Sequence, residues 1–270
     1  MNPTVIYEDE YVLALDKPSG VLVHSDGRSG EGTLVDWVVQ NYPDIKDVGE
    51  EQVLQNGEKI KRPGIVHRLD RETSGVILVA KTPESFEFLK NQFKDRKVEK
   101  IYHAVVWGNF SPDKMSGVIN KPIGRSSSDF RKWSAEYGAK GELREATTEY
   151  RVLGEPHPLT PSPKESGNIN QDSTFSYLEV RPKTGRTHQI RVHLKAIGHP
   201  VVGDKLYGNK NLKSKISNLK FEDRLMLHAK SISIGLPNGT FVNIESSLPK
   251  EFQTAKSLLK KEEKSDKMGE

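Results

Sequence analysis

The apolar residues of this 270-residue chain fall in short runs that turn-forming residues interrupt. Residues 75–80 (GVILVA) and 101–107 have the pattern of buried strands, whereas residues 83–93 show helical spacing after a proline. Pro-Asn-Gly at 237–239 separates two further apolar runs and predicts a hairpin. Because these patterns mix without a repeating strand–helix–strand rhythm, we predict an α+β fold with a mixed, mostly antiparallel central sheet flanked by helices and loops.

The same signals predict the remaining elements and one main folded unit. We expect this unit to span residues 1–255, followed by a charged C-terminal tail, residues 256–270, that frays. The further predictions are strands at 5–7, 11–15 and 174–180, helices at 33–42 and 187–197, and loops at 44–63 and 154–173.

Composition excludes several classes of protein. The chain has no cysteine, which rules out a disulfide framework, cysteine-ligated metals and a cysteine nucleophile. No apolar stretch approaches the roughly 20 residues that span a bilayer, and the N-terminus has no signal-peptide features. We therefore expect a cytoplasmic protein without membrane contact.

The charge is distributed unevenly along the chain. The net charge is +4, but residues 1–60 carry 12 acidic and 4 basic side chains, a sum of −8, so the remainder holds +12. A basic remainder suits a polyanionic partner, and a solvated lysine-rich surface would give the same count. Motifs for nucleotide-fuelled, dinucleotide-dependent and zinc-protease chemistry are missing from the sequence.

Two segments combine charged residues in ways that suggest chemistry. In residues 63–82 a charged cluster lies between apolar flanks, which would hold the Asp70 carboxylate at the rim of a cleft. In residues 181–194, Gly185 leads into a helix whose first turn offers backbone N–H groups beside Arg186 and His188, a phosphate-binding arrangement. From the residues alone, Asp70 could instead cap a turn or pair with a surface arginine.

These two segments carry a family resemblance. Residues 67–75 (HRLDRETSG), residues 185–194 (GRTHQIRVHL) and the segment 198–208 resemble the signatures of pseudouridine synthases of the RluA type. Asp16-Lys-Pro-Ser-Gly20 and the strand that begins near Tyr102 also match, so the resemblance covers about residues 4–252. It implies the pseudouridine synthase fold with a cleft across the sheet. It also implies isomerisation of specific uridines in structured RNA, with no metal or cofactor.

The resemblance also implies roles for three residues. Asp70 corresponds to the catalytic aspartate, which would either attack the sugar or base covalently or remove a C2′ proton; both routes stay open. Arg191 corresponds to the arginine that pairs with this aspartate. The pairing has a physical reason, since a carboxylate in a water-poor pocket stays charged only beside a cation. Tyr102 corresponds to the active-site tyrosine, which could stack on uracil or act as a proton partner.

RNA contacts are implied for a further group of residues. Arg68 lies two residues before Asp70 and would face the same side of an extended chain, where it could hold a phosphate or fill the space of an extruded base. The full predicted group is His67, Arg68, Arg186, Thr187, His188 and Leu227. A basic run at Lys205, Lys210, Lys213, Lys215 and Lys220 could follow phosphates or simply be solvated.

The RNA target stays open at this stage. Many members of the family carry an N-terminal S4-type RNA-binding domain that we do not find in this sequence, so we expect the catalytic domain itself to select the RNA. This favours a compact stem-loop such as one in tRNA, with a ribosomal RNA site as the other option. We expect a monomer without an obligatory protein partner.

Two other functions compete with the synthase. One is an inactive RNA-binding or chaperone protein on the same fold. The other is a hydrolase that cleaves an N-glycosidic bond, which would normally need a second carboxylate and a positioned water.

Overall fold

A computed structural model describes residues 2–25, 32–53, 57, 59–61, 63–135, 137–154, 174–208 and 224–259. The strands in chain order are β1 (Thr4–Glu8), β2 (Val12–Lys17), β3 (Glu51–Val53), β4 (Lys59–Lys61), β5 (Ser74–Ala80), β6 (Glu99–Trp107), β7 (Ser116–Asn120), β8 (Ile123–Ser126), β9 (Trp133–Ala135), β10 (Ala139–Arg144), β11 (Thr147–Gly154), β12 (Phe175–Pro182), β13 (Leu227–Gly235) and β14 (Phe241–Glu245). The helices are α1 (Leu34–Asn41), α2 (Pro83–Lys94), α3 (Gln189–Ala196) and α4 (Lys250–Ser257).

Most of these strands belong to one large sheet. Its order is β1-β2-β5-β13-β6-β12-β11-β7, and β14 pairs with β13 outside this path. Neighbouring strands run antiparallel except β5 and β13, which pair in parallel at Ser74–His228 and Gly75–Ala229. The predicted α+β class with a mostly antiparallel sheet is therefore confirmed, and β13 joins its two halves.

Local sequence explains the main elements. All seven residues of β5 are buried, as expected for an apolar run in the middle of a sheet. Thr33 and Thr82 cap α1 and α2 by accepting hydrogen bonds from the N3 backbone N–H groups, and Pro83 occupies the first turn of α2.

The two larger of three apolar clusters among the described residues lie on either side of β13, and a small third cluster packs α3 against β8 and β9. The first joins β2 and β5 to α1 and α2 through residues such as Leu34 and Leu89. The second joins β6 and β12 to α3 and α4 through residues such as Leu194 and Phe252. The site described below lies where these two halves meet.

The structure departs from the sequence prediction in two places. Residues 44–63 were expected to be loop, but they include most of a 3-10 turn (Pro43–Asp47) and the hairpin of β3 and β4. These strands have three residues each and few apolar side chains, so they lack the usual strand pattern. α4 also continues past residue 255 to Ser257, and Leu258 and Leu259 pack against the core.

Some predicted features lie outside the described residues. They are residues 155–173 of the proline-rich loop, four lysines of the basic run (Lys210, Lys213, Lys215 and Lys220), and residues 260–270 of the tail. In the part of the chain that the structure describes, none of the helices is both long enough and apolar enough to cross a bilayer.

Candidate active site

A cavity of about 480 Å³ opens beside β6 and α3. Its volume falls within the roughly 300–1,000 Å³ of pockets that hold small molecules. Three of the predicted site residues enter it from three elements: Asp70 from the turn before β5, Tyr102 from β6 and Arg191 from α3. The fold therefore brings together side chains that are far apart in sequence.

Asp70 and Arg191 form an ion pair in this cavity. Arg191 Nη1 donates to Asp70 Oδ2 at 3.1 Å, across 121 positions of the chain. Asp70 remains 19% exposed and Arg191 only 8%, so the guanidinium is buried while the carboxylate faces the cavity. Little water screens a pair at this depth, so its charges interact more strongly than at the surface.

Asp204 holds the other edge of Arg191. Its Oδ2 accepts from Arg191 Nε at 2.7 Å and its Oδ1 from Arg191 Nη2 at 2.9 Å, a bidentate arrangement. Burial opposes the charged form of Arg191, but the two carboxylates outweigh it and raise the arginine pKa. Burial likewise opposes the charge on Asp204, and Arg191 with two backbone N–H groups overcomes this and lowers its pKa.

Asp204 is the residue of the site that the sequence analysis missed. It lies in the second signature, yet it received no role. The side chain is fully buried, and its Oδ1 also accepts from the backbone N–H groups of Leu206 and Tyr207 at 2.9 Å each. Its place in the second signature was the signal that could have identified it.

Tyr102 lines the cavity as a neutral phenol. Burial raises its pKa, and the negative charge of Asp70 raises it further. None of the residues that the structure describes hydrogen bonds to its hydroxyl, so both the ring and the hydroxyl are available to a molecule in the cavity. Tyr102 can therefore stack or donate a hydrogen bond, whereas its phenolate form is inaccessible near neutral pH.

His188 lies near the carboxylate oxygen of Asp70 that Arg191 does not contact. Its Nε2 is 3.9 Å from Asp70 Oδ1, and its Nδ1 is 2.8 Å from the hydroxyl of Tyr207. Burial lowers the pKa of His188, although the charge of Asp70 partly opposes this effect. Arg191 also packs over the Tyr207 ring at 4.9 Å. One tyrosine thus contacts both neighbours of Asp70.

The remaining predicted residues also line the cavity, although not all of them are free to bind. Arg68 is exposed and forms no ion pair with any described residue; Glu72 instead lies 3.9 Å from Arg71. His67 is used inside the fold, because its ring stacks on Phe93 and its Nε2 accepts from the backbone N–H of Leu78. Burial lowers the pKa of His67 to about 3, so it carries no charge at neutral pH.

The second segment contributes one wall of the cavity. Thr187 is exposed there, and Leu227 is a buried lining residue from β13. Arg186 donates through Nε to the carbonyl of Glu145, which directs its guanidinium along the surface. Other cations at the cavity are Lys94, Arg96, Lys100 and Lys183.

The turn that carries Asp70 is anchored from below by Lys17. This lysine is fully buried, and its Nζ donates to the carbonyls of Pro18, Val21 and Arg71 at 2.8–2.9 Å. Gly75 follows the turn with φ of +111°, and a Cβ there would lie 2.2 Å from the carbonyl oxygen of Ala229. The position of Asp70 therefore depends on one buried lysine and one close backbone contact.

Comparison with known proteins identifies the family. The model for the RNA pseudouridylate synthase family matches residues 11–196, which include Asp70, Tyr102 and Arg191. The chain belongs to the RNA pseudouridylate synthase family. The family resemblance stated from the two signatures is thereby confirmed.

Relatives of this synthase family extend over most of the chain. A protein of Borreliella burgdorferi named ribosomal large subunit pseudouridine synthase D is 37% identical over 92% of the chain and 66% of its own length. A protein of the same name from Pseudomonas aeruginosa is 34% identical over 96% of the chain and 72% of its own length. The chain thus spans only about two thirds of these relatives.

A solved member of the synthase family shares the fold. Human RNA pseudouridylate synthase domain containing 1 superposes with a TM-score of 0.67 at 24% identity, covering 95% of this chain and 94% of its own. The predicted pseudouridine synthase fold is confirmed.

Proposed function

We propose that this protein is an RNA pseudouridine synthase that isomerises uridine in structured RNA to pseudouridine. The observation that carries the proposal is the Asp70 carboxylate, which faces a nucleotide-sized cavity while Arg191 holds one of its oxygens at 3.1 Å. Membership of the synthase family supports the same reaction.

Each of the three residues in the cavity has a separate role in the reaction. Asp70 acts as the charged group, either by covalent attack or by removing the C2′ proton of the ribose. Arg191 keeps Oδ2 occupied, which leaves Oδ1 to face the substrate. Tyr102 contacts the detached uracil with its ring or its hydroxyl, because the neutral phenol has no competing partner in the described structure.

A uridine paired within RNA must leave its stack to reach Asp70. Extrusion of a base costs a few kcal/mol, which contacts with the enzyme must offset. Arg68 is placed for this role, since it is exposed, lines the cavity and forms no ion pair with a described residue. The cations at the cavity rim, Lys94, Arg96 and Arg186 among them, suit the phosphates of the flanking nucleotides.

We further propose large-subunit ribosomal RNA as the substrate. The support is the name shared by the two relatives described above, both large-subunit synthases. The cytoplasmic location and the monomeric state stay predictions.

The structure gives a reason to prefer the synthase over the hydrolase. A glycoside hydrolase needs a second carboxylate that can move a proton or activate water. Asp204 is the carboxylate that shares Arg191 with Asp70, but it is fully buried and its oxygens accept four hydrogen bonds. It is therefore engaged in structure and not free for proton transfer.

Carbodiimide mapping of pseudouridine tests the proposal. Total RNA from a deletion strain, which contains both ribosomal RNA and tRNA, is incubated with the purified protein, and new modified uridines are expected in large-subunit ribosomal RNA. Modified sites confined to tRNA would keep the enzyme class and reject the ribosomal substrate. Release of free uracil without modified sites would favour the hydrolase.

Asp70→Asn removes the charge at constant shape and tests the key residue. We expect turnover to fall by more than about a thousandfold, roughly 4 kcal/mol in the barrier, with RNA affinity unchanged within about twofold. Glu72→Gln is the matched control, because this exposed carboxylate is outside the cavity lining. Turnover of Asp70→Asn within about tenfold of the wild type would reject Asp70 as the reacting group.

A further inference from the structure

Strands β8, β9 and β10 form a separate three-stranded sheet, and two hydrogen bonds lead from it to His188, the neighbour of Asp70. The backbone N–H of Trp133 donates to the Tyr207 hydroxyl oxygen at 2.9 Å, and this hydroxyl lies 2.8 Å from His188 Nδ1. Tyr207 is 3% exposed, so its own proton needs a partner within the protein. In the described structure that partner is His188 Nδ1.

This arrangement fixes the tautomer of His188. Because Nδ1 accepts the hydroxyl proton, the proton of the neutral ring is carried by Nε2. Nε2 points to Asp70 Oδ1 at 3.9 Å, while Arg191 occupies Oδ2 at 3.1 Å. The two oxygens of Asp70 therefore face two different donors.

The backbone of His188 has a positive φ, which is uncommon for a residue other than glycine. Its φ of +56° and ψ of +19° lie in the left-handed region, directly before α3 begins. This conformation is strained for a residue with a Cβ, and asparagine or glycine would adopt it more easily. An imidazole at such a position, beside the reacting group, points to a role for the ring.

We propose that His188 is a positioning residue for Asp70: Tyr207 fixes its proton on Nε2, and this N–H orients Oδ1 while Arg191 holds Oδ2. The catalytic consequence rests on the function proposed above. Catalytic hydrogen bonds are often long before substrate binds and tighten in the complex, so closure of the 3.9 Å gap by about 1 Å completes the contact. The Asp70 carboxylate is then held in one orientation relative to the bound ribose.

The sequence analysis suggested a different role for His188, contact with an RNA phosphate. The two roles predict different kinetics. Loss of a phosphate contact weakens RNA binding and lowers its salt dependence. Loss of a positioning group lowers kcat and leaves KM nearly unchanged.

Two substitutions separate positioning from folding. His188→Asn tolerates the left-handed backbone, but its amide nitrogen reaches only as far as Nδ1. His188→Gln extends its amide nitrogen as far as Nε2 but is disfavoured at this φ. We expect His188→Asn to retain its Tm while kcat falls about 10- to 100-fold, the range for a lost hydrogen bond to a charged group.

His188→Gln is expected to show the opposite pattern. Its Tm should fall by several degrees while kcat stays within about fivefold of the wild type. If activity instead follows Tm in the two variants, or if the substitutions raise KM and leave kcat unchanged, the positioning role is overturned.

The tautomer and the position of Asp70 have readouts that need no turnover. In ¹⁵N spectra of the wild type we expect a protonated Nε2 on His188, assigned by the signal that His188→Asn removes. Tyr207→Phe should release the tautomer and shift the ¹³C carboxyl resonance of Asp70. A proton on Nδ1 in the wild type, or an unchanged Asp70 resonance in Tyr207→Phe, overturns the proposal.

A matched control exists elsewhere in the fold. Tyr177 is equally buried, and its hydroxyl lies 2.9 Å from His103 Nδ1. Tyr177→Phe should perturb His103 while the signals of His188 and Asp70 and the value of kcat stay unchanged. If the wild type forms no pseudouridine in any RNA, the proposed function fails, and the spectra still decide whether Tyr207 and His188 position Asp70.

Discussion

Substitution of Asp204 by asparagine should both destabilise the protein and impair the site. The carboxylate accepts two hydrogen bonds from Arg191 and two from the backbone N–H groups of Leu206 and Tyr207. Asparagine keeps the shape but offers one acceptor oxygen. With that oxygen at the Oδ1 position, the amide NH₂ faces Arg191 Nε, so a donor meets a donor in a buried position.

The magnitude follows from what remains around Arg191. Removing one partner of a buried ion pair costs about 3–5 kcal/mol. Arg191 keeps Asp70 at 3.1 Å, so we expect the lower end, about 3 kcal/mol. This is a large share of the roughly 5–15 kcal/mol that stabilises a typical folded protein. Because Arg191 also loses the group that orients it, kcat should fall at least about tenfold.

Urea unfolding followed by the fluorescence of the three tryptophans measures the change. The midpoint should fall while the slope with denaturant stays constant. Glu142→Gln is the control, because Glu142 pairs with Arg144 at the surface and is 73% exposed, so its loss should cost less than about 0.5 kcal/mol. A loss below about 1 kcal/mol for Asp204→Asn would refute the reasoning that Arg191 depends on Asp204.

Three further predictions concern groups that support the site. Lys17→Met leaves three carbonyls without their donor, and the free energy of unfolding in urea should fall by about 3 kcal/mol or more. The His67 pKa of about 3 in the folded protein lies below the unfolded value of about 6.5. The contribution of this shift to the free energy of unfolding is therefore complete above pH 6.5 and is lost as the pH falls toward 3. In His67→Gln the free energy of unfolding should change less with pH over this range. Gly75→Ala places a Cβ 2.2 Å from the Ala229 carbonyl oxygen and should lower Tm sharply, whereas Gly239→Ala, with φ of +84° and open space, should cost only about 1–2 kcal/mol.

The sequence predicted strands and helices correctly where burial requires a run of apolar residues. Residues 76–80 of β5 are all apolar because their side chains are buried in the first apolar cluster. The threonine caps of α1 and α2 are local signals that can be recognised from sequence alone. By contrast, no element was predicted for β7 to β10. β7 and β10 are largely exposed, with Leu143 of β10 facing solvent, so burial leaves no clear pattern in them. β8 and β9 have only four and three residues, which is too short to show the alternation of a strand.

The site residues also divide into those that the sequence predicted and those that it did not. Asp70 and Arg191 were paired through the family resemblance, and no spacing rule predicts a contact across 121 positions. Asp204 was missed because a single aspartate in a turn gives no pattern, and its partner lies on another element. His67 belongs to the group predicted to contact RNA; its ring stacks on Phe93 within the fold, and an RNA contact stays a prediction.

The placement of β13 has a consequence for synthesis of the protein. This strand alone joins the half of the sheet ending in β5, next to Asp70, to the half beginning with β6, which carries Tyr102, in the order given by the described strands. Ser74 and His228 bond across this seam over 154 positions. A nascent chain that has grown only as far as α3 therefore contains Asp70 and Arg191 but lacks the strand that joins their two halves of the sheet. We expect these two residues to be held in place only after β13 has left the ribosome.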